Sequence, residues 1–136
     1  MIAYRLGNKL NLDDVIELYR ASTLGERRPV DDRARMQAML DNANVVVTAW
    51  DENLLVGISR AFTDFAYATY LSDLAVRQSH QRQGIGRELI RETRRHCGEK
   101  PYLVLLAAPK AVDYYPRIGF TAHPSAWILR ADEDLV

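Results

Sequence analysis

The spacing of apolar positions changes period several times along the chain, and each change marks an element. Leu12, Val15, Ile16 and Tyr19 recur at helical spacing behind Asn11, a residue suited to an N-cap, with Asp13 and Asp14 in the first turn. A first helix is therefore predicted to about Ser22, followed by a loop over 23–30 that holds Gly25, Arg27, Arg28 and Pro29. Asp31 is the predicted cap of a second helix whose apolar side is Met36, Met39 and Leu40. Val45, Val46, Val47 and Thr48 are β-branched, so residues 44–50 read as a strand. The polar turn Asp51-Glu52-Asn53 leads into a second strand over 54–63, completing a hairpin. Residues 64–67 turn into a third strand over 68–76, which breaks at 77–83. From Gly84 an amphipathic helix carries Ile85, Leu89, Ile90 and Cys97 on one side, with Arg87, Arg91, Glu92, Arg94 and Arg95 off it. Gly98 is its stop. The unbroken run Leu103-Val104-Leu105-Leu106 predicts a strand over 102–107 covered on both faces. A short helix over 111–117, one or two strands between Phe120 and Leu129, and an acidic tail close the chain. Strands alternating with helices after a leading hairpin point to an α/β sandwich with a mixed sheet.

Composition narrows the class. With 136 residues, 48% apolar and 26% charged, the chain reads as one soluble globular domain over 1–136, expected in the cytoplasm. Its longest apolar run is far too short to cross a bilayer, and residues 1–10 carry no apolar core of a secretory signal, so no membrane partner is expected. Cys97 is the only cysteine, and His80, His96 and His123 lack metal-ligand spacing, so no metal is expected. Eighteen basic and 18 acidic side chains cancel, which argues against a general nucleic-acid coat. The cancellation is local in origin. Residues 41–76 carry −4 and residues 77–95 carry +4, and 15 of the 18 basic residues are arginine, which forks onto phosphate oxygens.

The candidate chemistry sits where that basic stretch begins. A strand ends at Leu74-Ala75-Val76, a short loop follows, and Gly84-Ile85-Gly86 opens a helix. The first amides of a helix lack partners and carry partial positive charge, and glycines there let a ligand reach the backbone. An anionic diphosphate fits such a start, with Arg82 and Arg87 beside it. A dinucleotide fingerprint would need a third glycine at Leu89, and a P-loop would need Gly-Lys-Ser/Thr; neither is present.

In Gln81-Arg82-Gln83-Gly84-Ile85-Gly86 the chain resembles the Q/R-x-x-G-x-G/A motif of the GNAT superfamily of acyl-CoA-dependent N-acyltransferases. Ala111-Val112-Asp113-Tyr114-Tyr115-Pro116-Arg117-Ile118-Gly119-Phe120 resembles that family's A-x-x-F-Y-x-k-x-G-F segment. The two motifs stand in the family's order, and the element order matches over nearly the whole chain. The resemblance implies a mixed, mostly antiparallel central sheet with helices on both faces and a splayed parallel strand pair. It implies acetyl transfer from acetyl-CoA to a primary amine by direct attack in a ternary complex. Leu74, Ala75 and Val76 would then hold pantetheine through backbone groups, and Gln81, Arg82, Gln83, Gly84, Ile85, Gly86 and Arg87 the pyrophosphate. Tyr115 falls on the family's general-acid tyrosine, placed to protonate the leaving thiolate. Two departures stand out: Ala107-Ala108-Pro109-Lys110 replaces a frequent asparagine, and Pro116 follows Tyr115 where a helix former is usual.

An alkylammonium must lose a proton before it attacks, and Asp73, just before Leu74, is the leading carboxylate for that task, directly or through a water. Asp64 is the second; a turn or capping role is the alternative for either. Acceptor selection is expected from residues 22–30 with Phe62, Phe65, Tyr67 and Trp127, without naming the amine. A homodimer is expected by analogy only. A non-catalytic acyl-CoA sensor is the alternative function, and a nucleic-acid helix built on Arg87, Arg91, Arg94 and Arg95 a third, with no nucleic-acid partner expected.

Overall fold

The β-branched run at 45–48 is buried on both sides because β2 (Val45–Asp51) sits inside a five-stranded sheet. The computed structural model, which covers residues 1–136, orders the strands β1 (Ile2–Leu6), β2, β3 (Leu54–Thr63), β4 (Ala68–Val76) and β5 (Tyr102–Leu105). The first three pairings are antiparallel and the last, β4 with β5, is parallel. The chain divides into a unit over Met1–Leu106, which holds the sheet, and a second over Ala107–Val136.

Alternation along β3, shifted once by a bulge at Val56 opposite Ala49 and Trp50, assigns one helix layer to each face of the sheet. Leu55 and Ile58, with Val46 and Ala75, join Val15, Ile16, Leu18, Tyr19, Met36 and Leu40 in one apolar core. Those partners come from α1 (Leu12–Arg20) and α2 (Arg33–Asn42). Gly57 and Ser59 point the other way, to α3 (Ile85–Arg95). A Cβ on Gly57 would stand 2.9 Å from Leu89 Cδ1 and 3.3 Å from Ile85 Cγ2, so glycine lets α3 lie close to the strand. Two turns further along, the Ser59 and Thr93 hydroxyls share a buried 2.7 Å hydrogen bond. These contacts fix where α3 begins relative to β4.

Several local expectations change. Asn11 caps α1, its Oδ1 accepting from the Asp14 amide at 3.1 Å. The cap of α2 is Asp32, not Asp31; Asp31 pairs with Arg20 at 2.7 Å instead. Strand β1 is an addition at the sheet edge, paired antiparallel to β2. Strand β5 is short and alternately exposed, because it is the opposite edge and not an interior strand. In the second unit, a 3-10 turn (Pro109–Ala111) precedes the single turn α4 (Tyr114–Arg117), and no strand forms between Phe120 and Leu129. Pro116 does not break α4, because the first turn of a helix has no intrahelical bond for it to remove.

Candidate active site

Strand pairing itself opens the candidate cleft. The β4–β5 ladder runs from Ala68↔Tyr102 to Leu71↔Leu105 and stops, while β4 continues to Val76. On the other side of β4, Arg60 pairs with Asp73 and Ala61 with Leu71, leaving Ser72 as an extra residue. Such a bulge bends its strand, and here the bend falls where the parallel ladder ends. Leu74 and Val76 are therefore half-buried in the sheet without a strand neighbour on the β5 side, and Ala75 is buried against the core.

Beyond β4 the chain is pinned before it reaches α3. The Arg77 guanidinium forks onto both carboxylate oxygens of Glu17 at 2.6 and 2.7 Å, and its Nη2 donates to the Leu55 carbonyl at 2.8 Å. That fork holds the Glu17 carboxyl below its ordinary range. His80 Nε2 lies 2.8 Å from Asp51 Oδ2, tying the loop to the β2–β3 turn. Gln81 donates from Nε2 to the Val76 carbonyl at 3.0 Å, so this motif side chain closes the loop back onto the strand end.

Two left-handed residues, Arg82 (φ 64°) and Gly84 (φ 82°), then turn the loop into α3. The first α3 hydrogen bond runs from the Glu88 amide to the Gly84 carbonyl, so the amides of Gly84, Ile85, Gly86 and Arg87 have no acceptor inside the helix. Gln81, Arg82, Gln83, Gly84 and Arg87 are exposed, Gly86 half-buried, and Ile85 buried as the anchor of the turn. Exposed amides at a helix start with two flanking guanidiniums supply the donors and positive charge that an anionic diphosphate takes. Further along α3, Arg91 pairs with Glu88, and Arg95 with Glu92.

Asp73 is placed differently from its neighbours. Its carboxylate is fully buried and accepts from Arg28 Nε, Arg60 Nε and Tyr19 Oη, each at 2.6 Å. Arg60 also reaches the Met39 carbonyl and Ser72 Oγ. Burial alone would raise the Asp73 carboxyl, but the hydrogen bond and charge of Arg60, aided by Arg28 and Tyr19, hold it below the usual carboxylate range. Burial and the adjoining carboxylate raise the Tyr19 phenol well above its ordinary value. An anion this well held, with no exposed oxygen, is a poor proton acceptor, and the geometry makes Asp73 a junction of α1, the segment after it, β3 and β4. Asp64 Oδ1 accepts from the amides of Ala66, Tyr67 and Ala68 at 2.9, 2.7 and 3.1 Å, which makes it the organiser of its turn. Those bonds, Tyr67 first, lower its carboxyl.

In the second unit, the Tyr115 ring stands edge-on to Tyr114 and Phe120, with both centroids 5.3 Å away. Burial, then the neighbouring Tyr114, push the Tyr115 phenol up to about 12. The Phe120 amide donates to the Tyr115 carbonyl at 3.0 Å, closing the motif around Gly119. Phe62, Phe65 and Tyr67 are exposed on the first unit, and Trp127 is exposed on the second.

A family model for the acetyltransferase (GNAT) domain matches residues 22–129. The chain belongs to this family. An uncharacterized N-acetyltransferase, ycf52-like, of Prochlorococcus marinus is 29% identical over 82% of this chain and 64% of its own length. Among the curated relatives, the chain spans about half to two-thirds of the length of the first two it matches. A GNAT-family acetyltransferase of Streptococcus pneumoniae has the same fold, with a TM-score of 0.72, 28% identity, and coverage of 96% of this chain and 99% of that one. An aminoglycoside N-acetyltransferase solved with CoA matches at a TM-score of 0.75 and 18% identity over 97% and 95% of the two chains. That likeness is one of fold, including the mixed sheet and its parallel β4–β5 pair.

Proposed function

We propose that this chain is an N-acetyltransferase that moves an acetyl group from acetyl-CoA to a primary amine within a ternary complex. The observation that carries the reading is the juxtaposition of a strand end at Leu74 and Val76, without a strand neighbour on the β5 side, with the exposed amide loop and helix start from Gln81 to Arg87. The fold neighbour solved with CoA supports the same cosubstrate here. Backbone groups of Leu74, Ala75 and Val76 hold the pantetheine amides, and Gln81, Arg82, Gln83, Gly84, Ile85, Gly86 and Arg87 hold the diphosphate. An amide N–H beside the thioester stabilises the negative charge that develops on its oxygen. The amine nitrogen forms its bond to the carbonyl carbon as the carbon–sulfur bond breaks, and the Tyr115 phenol gives its proton to the departing thiolate.

The amine's own proton leaves to solvent water, from which Tyr115 regains its proton, and not to Asp73, whose oxygens are all engaged. Asp64, held by three amides, serves its turn. One catalytic domain over 1–136, a cytoplasmic location and pairing of two copies complete the reading. A screen of amines, polyamines, amino acids and peptides with acetyl-CoA, read as free thiol, is expected to show amine-dependent CoA release above the hydrolytic background. Tight CoA binding with no accelerating amine would replace this function with a non-catalytic acyl-CoA sensor.

A further inference from the structure

The segment after α1 is fastened on both sides of residues 74–76, to β4 before them and to the turn that follows the strand. At one end the Ala21 carbonyl accepts from the Gln78 amide at 3.0 Å. At the other, Arg28 donates from Nε to Asp73 Oδ1 at 2.6 Å and from Nη2 to the Ser72 carbonyl at 2.8 Å. Residues 21–28 thus run alongside the strand stretch that the proposed function gives to the pantetheine arm of acyl-CoA, next to its thioester.

The segment is also stiff. Ser22 Oγ donates to the Tyr19 carbonyl and accepts from the Leu24 amide, at 3.0 and 3.2 Å. Gly25 folds back so closely that a Cβ there would stand 2.6 Å from the Tyr19 carbonyl oxygen. Pushing the segment outward pulls Arg28 off a carboxylate that has no exposure to water. Separating one partner of a buried pair is strongly unfavourable, because the remaining charge keeps its desolvation cost. A wall held this way resists the displacement that a longer acyl chain would require.

We propose that Arg28 is a positioning residue that limits the acyl donor to short chains, by strapping residues 21–28 to β4 over Asp73. The inference rests on the acyl-CoA reading and names the class of donor for that same site. It needs no knowledge of the amine, so binding alone tests it. Affinities of acetyl-CoA, hexanoyl-CoA and free CoA are measured by calorimetry for the wild type, Arg28→Lys and Arg28→Ala. In an open slot the four extra methylenes of the hexanoyl chain would tighten binding. The strap reverses that order, with acetyl-CoA preferred by about tenfold in the wild type. Arg28→Ala loses the preference while keeping its affinity for free CoA. Arg28→Lys retains most of it, since the ammonium still reaches the carboxylate without the fork onto Ser72.

Equal wild-type binding of hexanoyl-CoA and acetyl-CoA overturns the inference whether or not either variant folds. An unchanged preference in a folded Arg28→Ala protein does so too. Binding of none of the three, free CoA included, brings down the acyl-CoA reading itself, and the inference with it.

Discussion

Replacing Asp73 with asparagine lowers the unfolding free energy by about 3–5 kcal/mol, the range for breaking a buried ion pair from one side. The amide keeps an acceptor for one donor but removes the charge that offsets two guanidiniums, of which the Arg60 side chain is only 6% exposed. Urea unfolding at neutral pH is the measurement. The acid side of the stability profile carries the same information. Because Asp73 is held below the carboxyl's unfolded value of about 3.9, its contribution is complete above that pH. It is lost as pH falls through the lower folded-state value, where wild type and Asp73→Asn converge. A base acting directly in transfer gives a different pattern: a protein of normal stability whose turnover loses its acid-side inflection. That pattern would return Asp73 to the catalytic role its position before Leu74 suggests.

Replacing Tyr115 with phenylalanine lowers turnover by about 10²–10⁴-fold, the usual worth of a positioned proton donor, and leaves acetyl-CoA affinity unchanged. The substitution removes one oxygen and keeps the ring that packs against Tyr114 and Phe120, so the motif stays folded. The phenol's displacement fits donation. With its value pushed up to about 12, Tyr115 holds its proton throughout the ordinary assay range and so stays available as a hydrogen-bond donor to the departing sulfur. Wild-type turnover therefore shows no loss on the alkaline side attributable to this group below about pH 11. Steady-state kinetics with a saturating amine from the screen separates the two parameters, and an unchanged turnover removes the phenol from the mechanism.

The sequence made the interior legible and the edges poorly so. The turns at Glu52 and Asp64 bound β3 and β4, and both strands occupy the residues the pattern marks. Strand β1 escaped notice because an edge strand of five residues carries only Ile2, Tyr4 and Leu6 in alternation, with Leu6 exposed. The apolar run at 103–106 has the composition of an interior strand, yet nothing local to it says that no further strand will cover β5. Asp31 and Asp32 are also adjacent and both good caps, and the Arg20 pair occupies the first of them.

The loop and helix start from Gln81 to Arg87 were readable because their parts are contiguous: a left-handed glycine, helix-start amides and arginines follow one another along the chain. The environment of Asp73 was not, since its partners Tyr19, Arg28 and Arg60 lie 54, 45 and 13 residues away. A carboxylate before Leu74 suits a base as well as an anchor until those partners are placed. The bulge at Ser72 was equally hidden, because it depends on register against β3 and not on residue type.

The account stands on acyl-CoA occupying the β5 side of the end of β4 and the start of α3, and thermal unfolding with and without acetyl-CoA tests this directly. A ligand that binds only the native state at about 100 times its dissociation constant stabilises it by about 2.7 kcal/mol. A saturable rise in the unfolding midpoint is expected, reproduced by free CoA and diminished by Arg82→Glu with Arg87→Glu, whose charges the proposal sets against the diphosphate. An unmoved midpoint at millimolar acetyl-CoA would contradict the central claim.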